Sequence, residues 1–172
     1  MEQAAEYIAR LMEVAAVTAP KAVGKNFVVT KIVSGTDVRK LGTEMIAYGE
    51  RTGKKNFDRD GKNVEESACV LLVGIKDASP VGLNCGACGF PTCLKINSAE
   101  EETAFSGPQC LFRVLDMGIA IGSAVKTASI LNADNRIMYR IGCVARELGM
   151  IDADFVMGIP LSVTGKSIYF DR

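Results

Sequence analysis

The stretch Ala68-Cys69-Val70-Leu71-Leu72-Val73-Gly74-Ile75 is an unbroken apolar run of strand length. A strand with one wet face alternates apolar and polar residues. An unbroken run marks a strand buried on both faces, in the middle of a sheet covered by helices above and below. The fold expected around it is α/β (α+β), a central mixed sheet flanked by helices and interrupted by a cysteine-rich segment.

Working outward, residues 2–17 have helical periodicity, with Ala5, Ile8, Leu11, Met12 and Ala15 on one stripe, and Pro20 ends the pattern. Phe27-Val-Val-Thr-Lys-Ile-Val33 is β-branched and lies between Gly24 and Gly35, as a strand would. Ser34-Gly-Thr-Asp37 offers a helix cap, and Val38, Leu41, Met45 and Ile46 continue at helical spacing to about Gly49. Thr52-Gly-Lys-Lys reads as a turn, Asp58, Arg59 and Asp60 as a surface turn, and residues 60–67 as a short helix. Beyond the apolar run, residues 90–98 read as a short helix and residues 110–131 as a long one. On the long helix, Leu111, Leu115, Gly118, Gly122 and Val125 make one face, and Ala120, Ala124 and Ala128 another. Small residues every four positions let helices approach closely, in a core first and at a subunit interface second. A break at 132–135, a helix over 136–148 ended by Gly149, a strand over 154–159 and a tail over 165–172 complete the order. The reading is one domain over 1–172, with 77–112 as an insert.

The chain has 172 residues, 48% hydrophobic and 23% charged, which suits one globular domain. No apolar run reaches membrane-spanning length, and the acidic start Met1-Glu-Gln-Ala-Ala-Glu is unlike a signal peptide, so a cytoplasmic protein is expected. Twenty basic and twenty acidic residues give no global field toward nucleic acid or anionic lipid. Residues 64–110 are the acidic part, with two basic and six acidic side chains. That imbalance suits docking against a basic redox partner, or is a solvated loop with Glu100, Glu101 and Glu102 as its charge.

Lys76 through Leu83 lead out of the apolar run, and Asn84-Cys85-Gly86-Ala87-Cys88-Gly89-Phe90-Pro91-Thr92-Cys93 then spaces three cysteines as C-x2-C-x4-C, with Cys110 sixteen intervening residues later. Three thiols on one loop can converge on one centre, and a fourth from the start of the next helix completes four-thiolate ligation. Gly86 and Gly89 remove Cβ atoms where the loop must wrap a bulky ligand and can take positive φ. The metal ligands expected are Cys85, Cys88, Cys93 and Cys110, holding a [4Fe–4S] cluster. Two alternatives stay open. Structural zinc favours two paired knuckles, and a redox C-x-x-C pair leaves Cys93 and Cys110 without a role. The chain has no histidine, which removes the usual general base and zinc ligand. Cys69 reads as core. Cys143 reads as core too, unless Arg140 and Arg146 face it and lower its pKa.

Asn84 to Cys93 followed by Cys110 resembles the four-cysteine [4Fe–4S] motif of the corrinoid iron–sulfur protein and of the B subunit of the Rnf electron-transport complex. Over its whole length the chain resembles a family of uncharacterised bacterial and archaeal proteins described as ferredoxin-domain-containing. That likeness is carried by Thr18-Ala-Pro-Lys-Ala22, by residues 83–93 and 115–128, by Asp134-Asn-Arg-Ile-Met-Tyr-Arg140, and by Gly165-Lys-Ser-Ile-Tyr-Phe-Asp-Arg172. The first helix, the Thr-Ala-Pro-Lys turn, the strand and the long Ala/Gly-rich helix are also similar in order to the flavin-dependent nitroreductase fold. That resemblance implies a homodimer through helix 110–131, with FMN at the subunit interface. The fold's Arg-Arg-Ser-type phosphate motif is missing, and the nearest basic residues are Arg10, Lys21 and Lys25.

Three functions are expected in turn. The first is one-electron transfer between redox partner proteins, and the second a flavin-dependent reductase fed by the cluster. The third is a binding module stapled by zinc or by the cluster. The sequence shows no nucleophile–base pair, phosphate-binding glycine loop or paired catalytic carboxylates, so no catalytic residue is assigned.

Overall fold

The computed structural model describes residues 1–96 and 101–170. In chain order the elements are α1 (Glu2–Thr18), a 3-10 turn (Ala22–Gly24), β1 (Val28–Ser34), α2 (Thr36–Thr52), α3 (Phe57–Glu65), β2 (Cys69–Ile75) and α4 (Cys93–Ile96). The short strands β3 (Glu101–Glu102) and β4 (Ser106–Gly107) then precede α5 (Leu111–Ile130), β5 (Asp134–Asn135), α6 (Tyr139–Glu147) and β6 (Phe155–Ser162).

The main sheet has the order β1-β2-β6-β5. All seven residues of β2 are buried, as its unbroken apolar run requires. Its side chains alternate between two cores. Cys69, Leu71, Val73 and Ile75 point to a layer made with α1 and α5, and Val70 and Leu72 to a layer made with α2, α3 and α6. Each fully buried Leu or Val contributes about 1.5–3 kcal/mol.

Every pairing in the sheet is antiparallel, not mixed as expected. The register gives the reason. Ser34 stands opposite Cys69, so α2 and α3 leave and return at the same end of the sheet; Ile75 stands opposite Phe155, so the cysteine segment, α5 and α6 do likewise at the other end. Apart from the single-turn α4, two helices per connection bring the chain back to where it left. A single crossover helix would have made the strands parallel.

Several boundaries shift for visible reasons. Gly35, not a side chain of Ser34–Asp37, is the N-cap of α2, and the helix passes Gly49 to end at Gly53 in the left-handed region. Gly49 is there because a Cβ would stand 2.7 Å from that of Phe57. Asp58, Arg59 and Asp60 lie in the first turns of α3, not in a surface turn, and Asp60 is buried between Arg59 and Arg140. The expected tail packs against the body through Ile168 and Tyr169. Tyr169 is buried, its hydroxyl 2.8 Å from Ser67 Oγ, and the Ile168 amide donates to Asp134. The helix expected over 90–98 is reduced to α4, and residues 97 and 98 lie outside the described residues.

On α1 the buried stripe is Ala5, Ala9, Met12 and Ala16, whereas Leu11 is 53% exposed. Small residues on both helices let α1 lie along α5, whose buried face includes Ala120, Ala124 and Ala128. On the opposite layer, α6 lies flat on β6 because Gly142 and Gly158 leave room. A Cβ on Gly142 would stand 1.9 Å from the Val156 carbonyl oxygen.

Candidate metal centre

The cysteine segment leaves the sheet at the end of β2, and its root is pinned. The Asp77 amide donates to Asp154 Oδ2 at 2.7 Å, Lys76 pairs with Asp152 at 3.0 Å, and Arg113 Nε donates to the Ser79 carbonyl at 2.9 Å. Gly82, at φ 90°, then turns the chain outward.

Asn84 closes the loop. Its side-chain oxygen accepts the Cys93 amide at 2.8 Å, and its own amide donates to Cys93 Sγ at 3.4 Å. It does so at φ 50°, a left-handed conformation that asparagine tolerates better than most residues. Between those ends Gly86 and Gly89 take φ 72° and 86°, and the Gly89 amide donates to the Gly86 carbonyl. No atom lies within 4 Å of where either glycine's Cβ would be, so these positions are chosen for the turn and not for packing. Cys85 is exposed, and Cys88 and Cys93 are half-buried.

Cys110 reaches the region from the other limb. It is the N-cap residue of α5, 5% exposed, and its carbonyl accepts the Arg113 and Val114 amides at 2.9 and 3.1 Å. That limb is held as well: Arg146 donates to Ser106 Oγ, Glu102 and the Ala104 carbonyl, and the Ser106 amide donates to the Asp154 carbonyl. A cleft of about 570 Å³ lies at the root of the two limbs, lined by Asp77, Ser79, Ile96, Pro108, Gln109 and Asp154.

All six cysteines are free thiols. The fold puts Cys85, Cys88 and Cys93 on one closed loop and Cys110 at a helix start. Among the described residues it gathers no three Cys, Asp or Glu side chains tightly enough to hold one metal ion. The donor chemistry fits a soft, thiolate-bound centre: four sulfurs, no imidazole, an amide directed at one sulfur, and glycine turns with open space beside them.

A relative from Archaeoglobus fulgidus, described as an uncharacterized protein, is 48% identical over 165 residues, covering 95% of this chain and 89% of its own length. Residues 106–172 match the model of a family described as uncharacterized proteins containing a ferredoxin domain (DUF2148). The chain belongs to this family. The matched part includes Cys110 and both sequence stretches that meet in the Asp134–Ile168 contact. Solved structures of nitroreductases share the fold of this family member. One from Desulfitobacterium hafniense with bound FMN is 14% identical, with a TM-score of 0.60 over 94% of this chain and 79% of its own. Another from Bacteroides fragilis, also with bound FMN, is 10% identical, with a TM-score of 0.58 over 96% and 87%. NfnB from Mycobacterium smegmatis in complex with NADPH is 15% identical, with a TM-score of 0.55 over 93% and 78%. The fold is nitroreductase-like.

The other two cysteines of this ferredoxin-domain protein are core residues. Burial pushes the Cys69 thiol up to about 12. Burial also raises Cys143, against smaller lowering influences from Lys54 and Arg140. Arg146 is engaged elsewhere, with its Nε donating to the Ala153 carbonyl at 2.7 Å. Lys21, one of the basic residues nearest the missing phosphate motif, donates to the Ala16 carbonyl at the end of α1. Sequence reasoning missed Arg113 and Asp116, both buried on the alanine face of α5 and bonded at 3.1 Å. The signal was present, as two charges where the helical period demands apolar residues. Among the described residues no helix is long and apolar enough to cross a membrane.

Proposed function

We propose that the protein binds one [4Fe–4S] cluster through Cys85, Cys88, Cys93 and Cys110 and passes single electrons between redox partner proteins in an anaerobic cytoplasm. In this reading residues 77–112 form a cluster-binding insert in one domain spanning 1–172. The observation that carries it is the loop closed by Asn84, which holds three free thiols in nine residues while α5 presents a fourth at its first turn. Membership of a ferredoxin-domain family supports the same reading. A bound cluster supplies a one-electron couple. The chain's own part is to tune and shield it. Asn84 donates a backbone N–H to the Cys93 sulfur, withdrawing electron density from the ligand, and burial of Cys110 keeps water from one side. With zero formal charge, neither nucleic acid nor an anionic membrane is a partner in this proposal.

Strictly anaerobic purification with iron, sulfide, zinc and flavin analysis tests it. About four iron and four sulfide per chain, with a visible colour bleached by dithionite, is the expected result. Stoichiometric zinc without sulfide would move the protein to a binding module with a stapled insert.

A flavin-dependent reductase is the second reading, favoured by the shared fold with FMN-bound nitroreductases. Co-purified flavin is its signature. We also propose a second copy of the chain on the outer face of α1 and α5. There α1 exposes Tyr7, Leu11 and Val14, and α5 exposes Leu115 and Ile119 beside the open Gly118 and Gly122. An apolar face of this kind on a nitroreductase-like scaffold fits a two-fold partner. Sedimentation of the wild type as a dimer and of Ile119→Lys as a monomer is expected; a monomeric wild type removes the second copy.

A further inference from the structure

We infer that Arg113 is the positioning residue that brings Cys110 into the cysteine ligand set. The inference rests on the cluster reading above. Arg113 is 1% exposed and lies on the α5 face shared with Met117, Ala120 and Ala124, where a Leu or Met would serve packing alone. Burying a guanidinium is costly unless its donors are used.

Here they are directed at backbone that leads to the ligands. Nε donates to the Ser79 carbonyl at 2.9 Å, and Nη1 to the Ala22 carbonyl and to Asp116 Oδ2, both at 3.1 Å. Asp116 in turn accepts the Ala22 amide through Oδ1 at 2.7 Å, and the guanidinium sits 4.7 Å from the Phe27 ring centroid. Ser79 lies six residues ahead of Cys85 on the entering limb. Cys110 lies three residues ahead of Arg113 on the leaving limb, and its carbonyl accepts Arg113's own amide. One side chain therefore ties the two limbs to each other and to the turn after α1. On the loop, Asn84 ties Cys93 back to the residue before Cys85 without its help. Cys110 is far from the loop cysteines in sequence and, among the described residues, has no such local tie to the loop.

A packing role and a positioning role differ in the effect of removing the side chain. Replacing a buried ion pair with apolar or neutral groups of similar volume is often tolerated by the fold. Arg113→Met combined with Asp116→Asn removes both charges together and keeps an acceptor for the Ala22 amide. The expected variant is folded by circular dichroism, but after brief ferricyanide oxidation it loses about one iron in four and shows the paramagnetic resonance signal of a three-iron cluster. Cys110→Ser sets the reference for that signal. Arg113→Lys, which keeps the charge but cannot span Ser79 and Ala22 together, is expected to show it too, and serves if the double variant does not fold. Asp60→Asn, which disrupts a buried ion pair on the opposite face of the sheet, is expected to keep the wild-type iron count.

A folded Arg113 variant with the wild-type iron count and no three-iron signal overturns the positioning role while leaving the cluster reading intact. Equal iron loss in Asp60→Asn also overturns it, by showing a general effect of destabilisation. Wild-type protein without iron and sulfide sinks both readings at once, and is told apart by needing no variant.

Discussion

The body of the molecule and its cysteine segment are held by different forces. In the body, β2 is buried along its full length and two helical layers meet it through small residues and glycines with no spare room. The cysteine loop has the reverse character. Asn84 and a Gly86–Gly89 turn shape it, its glycines face open space, and Cys85 is exposed. Burial specifies the first region, whereas local turns shape the second and leave its interior for something else to fill. A region built this way has low intrinsic stability, as functional loops often do. The lesson is that one chain can be specified by burial in one region and by local turns in another.

The strongest way to break the contrast is to fill a space in the body. Gly142→Ala would place a Cβ 1.9 Å from the Val156 carbonyl oxygen and force α6 off β6. A loss of more than about 4 kcal/mol is expected in urea unfolding, and a change within about 1 kcal/mol would show that the layer is looser than described. Cys88→Ser is the counterpart in the loop. It is expected to lose most of the bound iron while hydrogen exchange at Leu71, Leu72 and Val73 stays protected. Wild-type iron content would remove Cys88 from the ligand set.

Alkaline pH sharpens the comparison further. Folding raises the Cys69 pKa from its ordinary 9.0 to about 12, and burial likewise raises Tyr169. Because the folded values lie above the unfolded ones, this contribution is fully present below about pH 9 and is lost as pH rises toward 12. Urea midpoints should fall between about pH 8 and pH 11, and less steeply in Cys69→Ala. An unchanged slope in that variant would mean that the buried thiol is not the source. The smallest effect belongs to the loop. Gly89→Ala meets no neighbouring atom, so only the backbone at φ 86° resists it, at about 1–2 kcal/mol. Iron should leave faster on chelator challenge, with the melting of the body unchanged.

Much of this is readable in the sequence, and the failures share a cause. β2 announces itself because burial on both faces leaves no polar residue in the run. The cysteine loop is legible because its spacing and glycines are local. Periodicity misplaces the stripe of α1 because the helix is apolar on two sides. Leu11 reads as core, yet Ala9 and Ala16 go inward beside Met12, their small side chains allowing close contact with α5. Asp60 and Arg113 escape recognition because their partners, Arg140 for one and Ser79 and Ala22 for the other, are remote along the chain. Residues 165–170 look like a tail for the same reason, as Tyr169 finds its partner in Ser67. The direction of the strands depends on counting helices between them, including a segment whose helix is a single turn.

The strands β2 and β6 are neighbours in the sheet, yet the cysteine segment, α5 and α6 are all made between them. A ribosome therefore releases β2 long before β6, and the most apolar strand waits with one edge unpaired. Such edges are where nascent chains misassociate or engage chaperones. The cysteine loop faces no such delay, because Asn84 and Cys93 emerge nearly together. The loop can close while synthesis continues; the sheet must wait for β6.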